Sequence, residues 1–195
     1  MPTDRSEMAA TVHERPPYLA VVHRFVNSLD VDVDDPSDEI TDPAGLTSWL
    51  IAHDLLDEPA EPATRAQFRL AMDLRQALRA LALANHGEPI PADDLALARS
   101  CFDRLPVVAA PVGEALAPGT LPPVQRALAQ IVAGVATARA AGEWHRLRRC
   151  PANDCGWVFW DSSARAARRW CSMAVCGNRA KARTFSRRAR PSPGV

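Results

Sequence analysis

The sequence predicts a mainly α-helical chain that ends in a small four-cysteine zinc finger. Three observations carry that expectation. Apolar residues recur at helical spacing through most of the first 143 residues, four cysteines fall as two C-x4-C pairs with fifteen residues between them, and the charge divides sharply between the two parts. The divisions that follow are a disordered N-terminus at 1–17, a helical domain at 18–143, a zinc finger with a basic C-terminal helix at 144–190, and a disordered tail at 191–195.

Taken in order, residues 1–17 are polar, contain Pro2, Pro16 and Pro17, and read as a mobile terminus. Leu19, Val22, Val26 and Leu29 then alternate at steps of three and four, which marks one face of a helix. The acidic run 30–39, DVDVDDPSDE, lacks the glycine and closing glutamate of a calcium loop and reads as a solvated loop. Asp42-Pro43 supplies an N-cap and a first-turn proline for a helix reaching to about Leu56, with Leu46, Trp49, Leu50 and His53 inward. A long helix is expected over about 62–85, where Leu70, Leu74, Ala77, Leu78 and Leu81 form a stripe and Asn85-His86-Gly87 a stop. A further helix covers about 92–105 and holds Cys101, read as a buried free thiol.

Residues 106–123 are rich in proline and glycine and read as loop. Val124, Leu128, Ile131, Val132 and Val135 restart the helical pattern. That helix is expected to run to about Leu147 and to deliver the chain directly to Cys150, so that the two domains move as one body.

The stretch 150–177 reads CPANDCGWVFWDSSARAARRWCSMAVCG, and a glycine, Gly156 or Gly177, follows each pair. Thiolates satisfy the preference of zinc for four soft ligands in a tetrahedron. Cys150, Cys155, Cys171 and Cys176 are therefore the expected ligands of one structural Zn²⁺, and the glycines suit tight turns where φ turns positive. Two disulfides are the competing reading. They require an oxidising compartment, and the N-terminal residues contain no apolar run of the kind a signal peptide has; a cytoplasmic location is expected. No apolar run approaches the length that spans a membrane.

The run RRCPANDCGWVFWDSSARAARRWCSMAVCGNRAKARTFSRR resembles the CGNR zinc-finger family, whose tetrapeptide stands here as Cys176-Gly177-Asn178-Arg179. The likeness spans about forty residues. Proteins of that family carry an N-terminal helical domain called ABATE, and Phe25-Val26-Asn27-Ser28-Leu29-Asp30 looks like its opening motif. The resemblance implies a short β-hairpin with strands near 107–111 and 114–117, and a role as a stress-related bacterial transcription regulator.

Charge points the same way. Up to Glu143 there are 11 Lys/Arg against 21 Asp/Glu, a net charge of −10; from Trp144 there are 12 against 2, a net charge of +10. Four thiolates on Zn²⁺ lower the latter to about +8. Such a division suits a polyanion-facing end, the alternative being mutual attraction of the two parts. A helix is expected from just after Cys171 to about Arg190. On it Arg179, Arg183, Arg187 and Arg190 form one cationic stripe, with Lys181 and Arg188 on another face. Arg165, Arg168 and Arg169 add charge before the second cysteine pair. These nine residues are the expected nucleic-acid contacts, the alternative being a solvated helix face.

GWVFWD reads as a strand with Trp157 and Phe159 on one side and Val158 and Trp160 on the other. Its aromatics and Trp170 either cover the metal site or stack on unpaired bases. Asp161-Ser162-Ser163 reads as a turn or cap.

Phosphate-binding glycine loops, nucleophile elbows and metalloprotease motifs are absent, and four cysteines close the zinc sphere that a catalytic site leaves open. The expected function is therefore non-enzymatic: DNA binding by the finger in a transcription regulator, with the helical domain sensing or assembling. An RNA or single-strand binder and a module docking an acidic protein are the alternatives, and a homodimer is compatible with each.

Overall fold

The computed structural model describes residues 13–31, 36–111 and 113–189, of which 187–189 through the backbone alone. Residues 1–12, the 191–195 tail, Arg190 and part of the acidic run lie outside the described residues.

A 3-10 turn, Pro17–Leu19, leads into α1, Ala20–Asn27. The turn begins where Pro17 fixes φ at the first position. Upstream of it His13 is tied down on both sides: its N–H donates to the Ser162 carbonyl at 3.1 Å and its carbonyl accepts from Trp160 Nε1 at 2.7 Å. Two short strands, β1 at Leu29–Asp30 and β2 at Ser37–Asp38, pair antiparallel around the acidic loop. The loop is not simply solvated, because Asp38 leaves it to meet Arg75.

Helix α2, Pro43–Ala52, is capped as expected, with Asp42 accepting from the Gly45 N–H at 2.7 Å. It ends four residues before the expected Leu56, where the chain turns through Asp54 at φ 57°. Helix α3, Arg65–Ala84, opens on a capping box in which Thr64 and Gln67 satisfy each other's backbone N–H groups. Its expected stripe is buried in full, and α1, α2, α4 and α5 pack around it. Helix α4, Ala92–Arg104, buries Cys101, whose thiol is pushed up to about 11 by burial and the Asp73 charge. Among the described residues, the proline-rich segment after it contains a single antiparallel bridge, Val108 to Leu116, where the resemblance implies a short hairpin.

Helix α5, Pro123–Ala140, crosses α1 closely enough that a Cβ on Gly134 would meet the Tyr18 carbonyl. Contrary to expectation it does not reach Leu147. Gly142 adopts φ 71°, a conformation that costs glycine little and ends the helix. A 3-10 turn, Trp144–Arg146, and strand β3, Leu147–Arg149, bring the chain to Cys150 instead. β3 pairs antiparallel with β4, Val158–Trp160, in the register Leu147 to Trp160 and Arg149 to Val158. Ser172 caps a π-helical turn, Met173–Gly177, which continues into α6, Asn178–Ala189.

The β3–β4 hairpin has two faces with different partners. Leu147 and Val158 are fully buried in the main helical core, and Trp160 packs against it. Phe159 points the other way, into a second cluster with Cys150, Cys155, Cys176 and Trp170. Alternation along one three-residue strand thus joins the helical core to the cysteine cluster.

No helix among the described residues is long and apolar enough to cross a membrane.

Candidate metal centre

Two chain segments bring the thiols together. The β3–β4 connection carries Cys150 and Cys155. There the Cys150 N–H donates to the Trp157 carbonyl at 2.8 Å and the Cys155 N–H to the Ala152 carbonyl at 3.1 Å, closing a tight knuckle. Gly156 follows at φ 65°, as its place after a cysteine pair suggests. The second pair differs. Cys176 sits inside the π-helical turn, and Gly177 after it has a helical backbone, where a Cβ would meet only the flexible end of the Met173 side chain.

The four sulfurs lie within 4.8 Å of one another, with Cys155 to Cys171 at 3.5 Å and Cys171 to Cys176 at 3.6 Å. A zinc–sulfur bond of about 2.3 Å gives a tetrahedron with edges of about 3.8 Å. The cluster fits that ion, whereas a disulfide needs about 2.05 Å, and all five cysteines are free. Cys150, Cys155 and Cys176 are buried and Cys171 half-buried. Proton sharing among the thiols fits the same conclusion. Cys150 is pulled down to about 5, first by its hydrogen bond with Cys171. Cys155 is pushed up to about 11 by burial, and Cys171 is pushed up by its hydrogen bond to Cys150 and by burial. The Cys150 thiolate forms readily; ionisation of Cys155 and Cys171 is opposed by burial and by that first charge. A divalent cation removes both obstacles.

Around the sulfurs, Arg168 lies over the Phe159 ring at 5.1 Å and donates to the Cys171 carbonyl at 2.5 Å. Arg179 Nη2 donates to Cys176 Sγ at 3.5 Å. A donor to sulfur, as Arg179 is, lowers the charge density on a thiolate cluster. His145 is exposed, hydrogen-bonded to the Gly142 carbonyl, and apart from the cluster.

Buried arginines that sequence reasoning missed seat the centre. Arg79 of α3 donates to the carbonyls of Val26 at 2.6 Å, Leu29 at 3.0 Å and Gly156 at 3.0 Å. Burial pushes its pKa down to about 10, with the Arg149 charge adding to the effect. Arg146 donates to the carbonyls of Asp161 at 3.0 Å and Ser163 at 2.8 Å. Asn27 pairs with the Val158 backbone in both directions, at 2.8 and 2.9 Å, in the manner of an added strand. Asn85 reaches the Trp144 and Leu147 carbonyls, each at 2.8 Å. The Phe25–Asp30 motif thereby gains a structural meaning: Asn27 grips β4, and the carbonyls of Val26 and Leu29 hold the arginine that grips Gly156.

The finger's two acidic residues are both engaged. Asp161 is fully buried and accepts from Ser163 N–H and Oγ and from Arg168 N–H, so the expected turn is an acidic bracket for the whole loop. Asp154 Oδ2 receives both Arg179, at 3.2 Å, and Arg183. The expected cationic stripe is therefore altered at its start. Arg179 and Arg183 converge on the first knuckle, clasping α6 over the cysteines. Arg165, Arg168, Arg169, Lys181 and Arg183 are exposed and Arg179 is half-buried. Arg190 lies outside the described residues, as do the side chains of Arg187 and Arg188.

Of the aromatics, Phe159 and Trp170 cover the cysteines, and Trp160 belongs to the main core. Trp157 remains 38% exposed, edge-on to His23. Phe185 on α6, which sequence reasoning passed over, is 75% exposed. Its place within RTFSRR carries no apolar pattern to announce it.

A closed tetrahedral thiol cluster between a β-hairpin knuckle and a helical turn defines a structural zinc finger. Residues 146–189 match the family model of the CGNR zinc finger. The match covers both strands of the hairpin, all four cysteines and α6. No curated protein matches the chain.

Proposed function

We propose that the chain is a zinc-dependent DNA-binding protein that works as a transcription regulator in the cytoplasm, and not as an enzyme. The finger is the DNA-contacting part. The helical part, which is ABATE-like in its Phe25–Asp30 opening, senses a signal or assembles the protein. One observation carries the reading: with Asp154 and Asp161 both engaged internally, Arg165, Arg168, Arg169 and Lys181 are exposed around a rigid metal centre. Exposed cations of this density neutralise phosphates and release counterions, which supplies affinity for any nucleic acid. Base contacts from α6 would add sequence preference. A structural zinc with four thiolates offers no open position for chemistry, which supports the non-catalytic reading.

Selection of zinc-loaded protein against a randomised duplex pool at near-physiological salt tests this. An enriched motif is expected, and two-fold symmetry in it would indicate a dimer. Binding without enrichment would reduce the reading to electrostatic attraction. Absence of binding would overturn it in favour of an RNA or an acidic protein partner.

A further inference from the structure

The first knuckle and α6 enclose an open groove that the zinc centre does not use. Pro151, Ala152 and Gly177 line it together with the apolar side chains of Trp170, Met173 and Phe185. Its volume is about 1370 Å³. That exceeds the roughly 300–1,000 Å³ of small-molecule clefts, and the groove is open to solvent, as suits a polymer. Three cationic side chains, Arg169, Lys181 and Arg183, share the lining, Arg183 being already paired with Asp154.

Two features of the lining are unusual for a surface. Phe185 and Met173 are 75% and 51% exposed on a strongly basic segment, where solvation alone favours neither. Arg169 already lies over the Trp170 ring at 5.3 Å, so a cation and an aromatic face are held together before any ligand arrives. Aromatic faces flanked by cations match a chain of phosphates carrying flat bases; an acidic protein would use the charge and leave the rings uncovered.

We propose that this groove receives an unstacked base of the bound nucleic acid. Phe185 supplies the stacking surface, Trp170 under Arg169 lines the groove beside it, and Arg169 and Lys181 hold the phosphates. The inference rests on the nucleic-acid reading above and narrows it: the preferred target is a duplex from which a base is already displaced. Trp157 and Trp160 take no part, since Trp160 is packed in the core and Trp157 lies against His23.

The test uses full-length zinc-loaded protein and three labelled oligonucleotides: a perfect duplex, the same duplex with one bulged 2-aminopurine, and the single strand. The bulged duplex is expected to bind about tenfold more tightly than the perfect one, with a change in 2-aminopurine emission on binding. Phe185→Ala should abolish that preference while leaving perfect-duplex affinity within twofold, and Phe185→Tyr should keep it. Lys181→Ala should weaken all three alike. Equal binding of the two duplexes by the native protein would overturn the inference and leave the nucleic-acid reading standing. So would a preference that survives Phe185→Ala. Failure to bind any of the three would remove both.

Discussion

Arg79 and Gly156 are joined by a 3.0 Å hydrogen bond from guanidinium Nη2 to the carbonyl that directly follows Cys155. The same guanidinium holds the carbonyls of Val26 and Leu29 at the end of α1. One buried side chain on the central helix thus fixes both the helical core and the first knuckle. Arg79→Leu leaves three buried carbonyls without donors, and Arg79→Lys cannot reach all three. A loss of about 3–5 kcal/mol is expected for leucine, and less for lysine. Urea unfolding measures it, and competition with a chromogenic chelator measures zinc affinity in parallel. Both should fall together. A large stability loss with unchanged zinc affinity would disprove the link.

Zinc removal should be felt beyond the finger. Leu147 and Val158 lie in the main core while Phe159, between them and the metal, packs on the cysteines. Cys171→Ser or chelation is expected to lower the Tm of the helical signal by circular dichroism in one cooperative transition. A helical transition that stays put while the finger alone loses structure would show the two parts to be independent.

Much of this arrangement was legible in the sequence. Thiol spacing alone names the ligands, because zinc accepts few donor types and two short pairs bring four to one point. Asp42-Pro43 and the Leu70–Leu81 stripe announced α2 and α3, since capping and periodicity are local. The end of α5 was not legible. Ala140 and Ala141 favour helix, and only Gly142 at φ 71° marks the break that leads to β3. Nor were Arg75, Arg79 and Arg146, whose burial depends on carbonyls and carboxylates brought from distant segments. Asp154 illustrates the same limit: its neighbours in sequence give no hint that it draws in Arg179 and Arg183 from α6.

His23 sets an acid limit on the seating of the finger. Its Nε2 lies 3.3 Å from Asn27 Nδ2, an amide that donates to β4, so the imidazole there is an acceptor and must be neutral. Burial, reinforced by the Arg15 charge, pushes its pKa down to about 4. A lowered histidine pKa means that the unfolded chain binds the proton first. The stabilisation is complete above about pH 6.5 and is lost as pH falls toward 4, by about 1–3 kcal/mol. Asp38 loses stability at lower pH still: burial raises its carboxyl, but Arg75 and the Ile40 N–H hold it below the usual range. Between pH 7 and 5, with zinc retention monitored, the Tm of the native protein should fall with a steeper slope than that of His23→Gln. Identical slopes would remove His23 from the account.

The two glycines after the cysteine pairs should respond differently to alanine. Gly156 has φ 65°, and a Cβ there would lie 2.6 Å from Val31 Cγ2 and 3.1 Å from the Arg79 guanidinium, both in packed surroundings. Gly156→Ala is expected to cost about 1–3 kcal/mol and to weaken zinc binding. Gly177 has a helical backbone, and the atoms its Cβ would meet belong to the half-exposed, flexible Met173. Gly177→Ala should cost under about 1 kcal/mol, because methionine re-rotates at little expense. Equal losses in urea unfolding would argue against this difference.

Asp154→Ala tests what the clasp over the cysteines does. Asp154 Oδ2 neutralises part of the charge of Arg179 and Arg183, and those two guanidiniums hold its carboxyl below its usual pKa range. Without it Arg183 presents its full charge to a phosphate, while Arg179 keeps its hydrogen bond to Cys176 Sγ. Duplex affinity at low salt should rise severalfold, and the slope of log affinity against log salt should steepen by about one. The Asp154→Asn variant keeps the shape and one acceptor, and should fall between. The opposite result, weaker DNA binding with intact zinc, would make the carboxylate a positioning group that aims α6, because an arginine released on a swinging helix loses more in order than it gains in charge.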